Sequence, residues 1–280
     1  MKIIQSVSHM QRLTRSLPRP IVLVPTMGAL HKGHLSLVKR ARQKAGKEGT
    51  VVTSIFVNPT QFGPKEDLKK YPRPFKTDCA LLRNAECNIV FAPDSEEMYF
   101  EDRSISVLES NLSIVMCGAS RPGHFNGVCM VVSKLFNIVQ PDVALFGEKD
   151  FQQLAIIRRM VRDLNFPIQI LSCPTVRESD GLALSSRNRF LTPEERTQAP
   201  IIFHTLLEAE EKVRAGATSA RLLETSMERQ IGRASLARID YVVAVHPETL
   251  QKNAKTSLPL LVAAAVFFGN TRLIDNRLIK

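Results

Sequence analysis

Two histidines three residues apart, His31 and His34, close the run Ile21-Val22-Leu23-Val24-Pro25-Thr26-Met27-Gly28-Ala29-Leu30-His31-Lys32-Gly33-His34. Two imidazoles at a water-poor site donate hydrogen bonds to a phosphoryl group as charge builds on it. The surrounding residues suit that task. Ile21 to Val24, apolar, mostly β-branched and ended by Pro25, have the pattern of a central parallel strand. Met27 to Leu30 make a bend, and from about Lys32 onward Leu35, Val38 and Ala41 recur at helical spacing. A helix beginning there aims its unpaired N–H groups and positive dipole end at the crevice above the strand ends. His31 and His34 then share one face of its first turn, and Gly33 lets a phosphate come close to the backbone. The alternatives are a surface pair of histidines or two of three zinc ligands. Zinc lacks its usual i, i+4 pair and a third Cys or His nearby.

Three further segments are unusually polar for strand ends: Phe56 to Gly63, Phe146 to Gln153 and Leu184 to Asn188. In the second, Gly147 and Glu148 precede Lys149 and Asp150 at an expected helix start, which supplies a cation for phosphate and a carboxylate for ribose hydroxyls. In the third, Ser185, Ser186 and Arg187 offer two hydroxyls and a guanidinium to a polyphosphate. Gln61 and Gln153 suit the hydroxyls and carboxylate of a small molecule. Taken singly, each segment also reads as an ordinary turn or wet polar loop, but together they describe one site.

The elements that must position these residues alternate. Short apolar runs at Thr50 to Val57, Asn88 to Ala92, Asp142 to Phe146 and Ile168 to Leu171 are separated by helical patterns, notably Val128 to Val139 and Leu154 to Leu164. This predicts an α/β fold, a doubly wound Rossmann-like parallel sheet, with ligands at the strand ends. Past about residue 175 the texture changes. Thr192 reads as an N-cap, Pro193 as the first helical residue and Glu195 as its capping-box partner, opening a long helix. A second helix near Ser219 to Ile231, a strand at Ile239 to Val245 and an apolar run from Leu260 to Phe268 complete a smaller α+β domain. The boundary is expected between residues 175 and 176, giving domains 1–175 and 176–280.

With 280 residues and 44% hydrophobic content, the chain buries a full core. No apolar stretch reaches membrane-spanning length and the first residues do not read as a signal peptide, so a cytoplasmic location is expected. Five cysteines without a C-x-x-C pair read as reduced core residues. The net charge of +11 raises nucleic-acid binding as a possibility, but the basic residues fall on polar helix faces and no interleaved aromatics accompany them. A nucleic acid is therefore not the expected partner, and the same field suits an anionic substrate.

The ordered runs Pro25 to His34, Ser54 to Gly63, Tyr71 to Arg73, Arg121 to Phe125, Lys134 to Asp142, Gly147 to Leu154 and Leu184 to Asn188 closely resemble those of the pantothenate synthetase (pantoate–β-alanine ligase) family, over nearly the first 195 residues. Asn126 departs from the pattern, where a basic residue is often found. The resemblance implies a nucleotidyltransferase-superfamily fold with its H-x-G-H signature, a homodimer, and a two-step reaction. ATP with Mg²⁺ and pantoate would give pantoyl adenylate and pyrophosphate, and β-alanine would then release pantothenate and AMP.

The resemblance also implies residue roles. Pro25, Thr26, Met27, Gly28, Ala29, Leu30, His31, Lys32, Gly33 and His34 would hold ATP, with His34 as proton donor and His31 beside the β,γ-phosphates. Lys149, Ser185, Ser186 and Arg187 would neutralise the leaving pyrophosphate; Gly147, Glu148 and Asp150 would bind ribose and its surroundings. Val176 and Leu184 would complete the nucleotide site, Gln61, Gln153 and Asn58 the substrate site, and Asp78 would contact Mg²⁺. Another adenylyl or cytidylyl transferase of the superfamily is the alternative, but a phosphorylated acceptor would favour Arg or Lys where the paired glutamines stand.

Overall fold

The computed structural model describes residues 1–63, 68–216, 219–252 and 255–280. In chain order its strands and α-helices are β1 (Lys2–Ile4), α1 (Val7–Thr14), β2 (Ile21–Thr26), α2 (Lys32–Ala45), β3 (Thr50–Ile55), α3 (Phe75–Asn84), β4 (Ile89–Phe91), α4 (Ser95–Met98), α5 (Cys117–Ser120), α6 (His124–Val139), β5 (Val143–Gly147), α7 (Phe151–Asp163), β6 (Gln169–Cys173), α8 (Pro193–Gln198), α9 (Ile201–Arg214), α10 (Ala220–Ile231), β7 (Ala237–Val245), β8 (Leu260–Phe268) and β9 (Thr271–Ile279).

The first six strands form one parallel sheet in the order β1-β4-β3-β2-β5-β6. Strand order reverses between β2 and β5, so the segments leaving these two strands flank one crevice. The unbroken apolar character of β2 follows from its place. Ile21 and Leu23 face a core shared with α6 and α7, while Val22 and Val24 face Leu37, Val38 and Ala41 of α2. All four are fully buried, worth about 1.5–3 kcal/mol each as an upper range. Pro25 does not end the strand as the sequence suggested; β2 runs to Thr26 in register with β3. The residues of β2 that pair with β5 are Val22 and Leu23, so the missing Pro25 N–H costs no ladder bond on that side.

The second sheet, antiparallel β7-β8-β9, explains the apolar run in β8, its middle strand. Val262, Ala264 and Val266 pack with Leu206, Leu223 and Met227 of α9 and α10, whereas Leu261 and Ala263 join the core under α6 and α7. The chain thus has two sheets, and one apolar core runs between them. The long helix expected after Thr192 is two helices. The Thr192–Glu195 capping box forms as read, but α8 stops at Gln198 and Pro200, which lacks an N–H, restarts the chain as α9. β1, α1 and β9 went unread in the sequence. All five cysteines are unpaired and buried.

Candidate active site

The crevice beyond β2 and β5 opens into a cleft of about 260 Å³. Segments following four parallel strands line it: Met27 to His34 after β2, Asn58 to Phe62 after β3, Gly147 to Gln153 after β5 and Pro174 to Val176 after β6. Leu184 to Arg187 approach from the second half of the chain.

The histidines are built into the start of α2 as a reciprocal cap. His31 is the N-cap, its Nδ1 accepting from the Gly33 N–H at 3.1 Å, and His34 Nδ1 accepts from the His31 N–H at 3.4 Å. The ring centroids lie 4.1 Å apart. A ring nitrogen that accepts carries no proton, so each neutral imidazole keeps its hydrogen on Nε2, the donor left for a ligand. Burial, followed by the Lys149 charge, lowers the His31 pKa to about 4. Burial, then His31 and Lys149, takes His34 to about 3. Both rings are therefore neutral at pH 7 in the free protein, and each offers an N–H and not an imidazolium. Gly33 lines the cleft, and a Cβ there would lie 2.9 Å from His31 Cε1 and Nδ1. Its bareness admits the His31 ring.

Opposite, Lys149 lines the cleft and Asp150 supplies a carboxylate at its edge. Asn276 Nδ2 of β9 fixes this segment by donating to the carbonyls of Glu148 (2.9 Å) and Lys149 (2.8 Å). Ser185 Oγ caps the turn Ser186–Phe190 by accepting from the Arg187 N–H at 3.2 Å. That turn leaves a narrow hairpin in which the Leu184 N–H donates to the Val176 carbonyl at 2.9 Å. Arg177 in the same hairpin pairs with Asp275 of β9 at 2.5 and 2.9 Å. The cationic loop is therefore carried by the second sheet.

Gln61 donates through Nε2 to Met27 Sδ at 2.9 Å and accepts at Oε1 from Asn58 at 3.2 Å. Gln153 lines the same cleft from the first turn of α7. Asn58, expected to touch substrate, lines the cleft and is itself held in place: Nδ2 donates to Gln61 and to the Gly127 carbonyl, while Oδ1 accepts from Thr60 and from Tyr99 at 2.8 Å. It also fixes Gln61.

Not every expected residue reaches the cleft. Pro25, Thr26, Met27, His31, Gly33, His34, Gly147, Lys149, Asp150, Val176, Leu184, Ser185, Ser186 and Arg187 line it; Gly28, Ala29, Leu30, Lys32 and Glu148 do not. Lys32 is solvent-exposed, and Glu148 accepts from Ser172 Oγ at 2.7 Å. Asp78, expected at Mg²⁺, is fully buried with both carboxylate oxygens on backbone amides, those of Ala29 (2.9 Å) and Leu30 (2.8 Å). Asp78 is not among the residues that line the cleft. Conversely, sequence reasoning gave no role to Tyr71, Arg121, His124 or the apolar wall of Val131, Val132 and Leu135. Runs holding Tyr71, Arg121 and His124 were visible, but only the fold shows that they line the cleft. His124 Nδ1 bonds the Gln61 carbonyl at 2.8 Å and Arg121 Nη1 bonds His124 Nε2 at 3.0 Å.

A family model described as pantoate-beta-alanine ligase matches residues 2–278. The chain is 53% identical over 256 residues to the pantothenate synthetase of Akkermansia muciniphila, covering 91% of each. It is 49% identical to that of Thermotoga petrophila over the whole of both chains. Among solved structures, pantothenate synthetase from Thermus thermophilus aligns with TM-score 0.92 at 45% identity over 99% of both chains. A pantoate-beta-alanine ligase from Francisella tularensis, complexed with beta-gamma ATP and beta-alanine, aligns with TM-score 0.79 at 32% identity, covering 99% of this chain and 97% of its own.

Proposed function

The chain belongs to the pantoate–β-alanine ligase family, and from that membership and the cleft's geometry we propose how its residues divide the work. The enzyme uses ATP to condense pantoate with β-alanine. One observation carries the division of labour: the neutral histidine pair, Lys149 and Arg187 line the same cleft as Gln61 and Gln153. In the first step a carboxylate oxygen of pantoate attacks the α-phosphorus of ATP, and the bond to pyrophosphate breaks. In the second the β-alanine amine attacks the acyl carbon of pantoyl adenylate, and AMP leaves. No covalent bond to the protein is needed, so the residues position the reactants and stabilise charge.

Nε2–H of His31 and His34 meets the phosphates as negative charge shifts toward the leaving group. Lys149 and Arg187 neutralise that group, Asp150 takes ribose hydroxyls, and Val176 lies against adenine. Gln61 and Gln153 take the hydroxyls and carboxylate of pantoate, whose methyl groups fit the wall of Val131, Val132 and Leu135. Among the described residues no three His, Cys, Asp or Glu side chains converge, and Asp150 is the carboxylate lining the cleft. The chain's residues therefore do not form a cage for Mg²⁺, which would arrive on the triphosphate with its waters.

The remaining proposals concern organisation. Residues 1–175 hold the nucleotide and pantoate, and 176–280 bring the cationic loop over them as a cover. Because the second sheet shares an apolar core with the first part, the 177–190 hairpin and turn are the natural moving element. A homodimer is supported by Phe100, Ile105, Leu108 and Ile114, exposed by 65 to 78% on one short segment. No described helix is long and apolar enough to cross a membrane. The test is to supply ATP, Mg²⁺, pantoate and β-alanine. AMP and pyrophosphate should form only with pantoate present, and stoichiometric ADP would overturn the adenylate route.

A further inference from the structure

Asp78 does not line the cleft, and it is among the most fully buried charged groups of the described residues, at 1% exposure. It lies in the first turns of α3, far along the chain from the residues it touches. Its two oxygens accept from two consecutive amides, Ala29 to Oδ2 at 2.9 Å and Leu30 to Oδ1 at 2.8 Å. These amides belong to the bend that delivers His31 and His34 to the cleft.

That bend is not self-supporting. Gly28 has φ +81° and Ala29 φ +52°, two successive residues in left-handed backbone, the second of which carries a side chain. An L-residue leaves that region unless its surroundings hold it there. Successive amides turned to one side in this way form a concavity that attracts anions. Here a side chain of the same chain fills it. A Cβ on Gly28 would lie 3.0 Å from Asp78 Oδ2, so the carboxylate and the turn are in close fit.

We infer that Asp78 is a positioning residue for the first half-reaction: by occupying the amide concavity of the 27–31 turn it fixes the reciprocal His31–His34 cap before ATP binds, and it keeps the phosphates on the histidine Nε2–H groups instead of the turn. The inference deepens the proposed reaction and rests on it. It gives the carboxylate a geometric duty, in contrast to a charge or metal duty. Holding the reacting groups in place in this way lowers a barrier without the residue touching substrate.

Two variants separate these duties. Asp78→Asn keeps the shape but leaves one acceptor and turns an NH₂ group toward a backbone N–H; Asp78→Glu keeps the charge but displaces both oxygens by a methylene. Each is assayed by pantoate-dependent ATP–pyrophosphate exchange below its own melting transition, with deuterium exchange followed in the peptide covering residues 27–34. Expected for both are a kcat for exchange lower by about 10- to 100-fold, faster amide exchange in that peptide, and unchanged half-saturation for Mg²⁺ and for β-alanine. Full exchange activity in Asp78→Asn would overturn the inference. So would retention of activity by Asp78→Glu alone, which would assign a charge role, or a large shift in Mg²⁺ half-saturation, which would assign a metal role. Should neither variant fold, Gly28→Ala presses on the same contact from the turn and is expected to show the same loss with unchanged Mg²⁺ half-saturation; normal activity there would equally overturn it. Failure of the reaction proposal is distinguishable, since the unmodified enzyme would then show no pantoate-dependent exchange at all.

Discussion

Replacing Gly33 by Ala should separate stability from catalysis. Gly33 is a helical residue of α2 and its φ is not in the left-handed region, so Ala would ordinarily stabilise by about 0.5–1 kcal/mol. The added Cβ, however, falls 2.9 Å from two atoms of the His31 ring. Restoring an ordinary contact of about 3.5–4.0 Å makes the ring retreat by roughly 0.6–1.1 Å. The 3.1 Å bond from the Gly33 N–H to His31 Nδ1 is then lost or lengthened, and losing an N-cap costs about 1 kcal/mol. The two stability effects nearly cancel, and the melting temperature should move little. Catalysis has no such compensation, because a displacement of about 1 Å at a reacting centre costs up to about 100-fold in rate, or about 2.7 kcal/mol of barrier. The assay is pantoate-dependent pyrophosphate exchange alongside thermal denaturation. Because Gly33→Ala and His31→Ala would disable the same contact, their combination should be little worse than either alone. A fully active Gly33→Ala enzyme, or strictly additive losses, would refute the reasoning.

Three more outcomes are expected. His34→Gln should lower exchange by roughly two to four decades and flatten the acid limb of the stability curve. The folded pKa values of about 4 and 3 for His31 and His34 lie below the ordinary 6.5, so the unfolded chain binds more protons between those limits, and stability present above pH 6.5 is lost as pH falls toward 4 and then 3; an unchanged acid slope in the variant would contradict this. Gln153→Ala should weaken pantoate binding by about 1–3 kcal/mol in calorimetry and leave ATP binding intact, and equal loss for both ligands would show that the pocket is misassigned. Arg187→Ala should slow adenylate formation while changing stability by no more than about 0.5 kcal/mol, and deuterium exchange over 177–190 should fall when ATP and pantoate are added; identical exchange in both states would remove the covering role.

What the sequence revealed and what it withheld divide along one physical line. The β2-turn-α2 unit was legible because its signals are local: a strand buried on both faces is apolar throughout, and a helix cap lies within four residues of the group it caps. The Thr192–Glu195 box was readable for the same reason. The partners of Asp78, Ala29 and Leu30, were not legible because they meet it only through the packing of α3 against the turn. No spacing rule links them. β9 went unseen because Arg272, Asp275, Asn276 and Arg277 interrupt its apolar pattern. Yet Asp275 and Asn276 are the residues that hold Arg177 of the hairpin and the carbonyls of Glu148 and Lys149. A strand that must grip two loops of a site gives up the regular alternation that would have announced it. Local consistency therefore fails in this chain where one sheet's residues support the chemistry placed by the other.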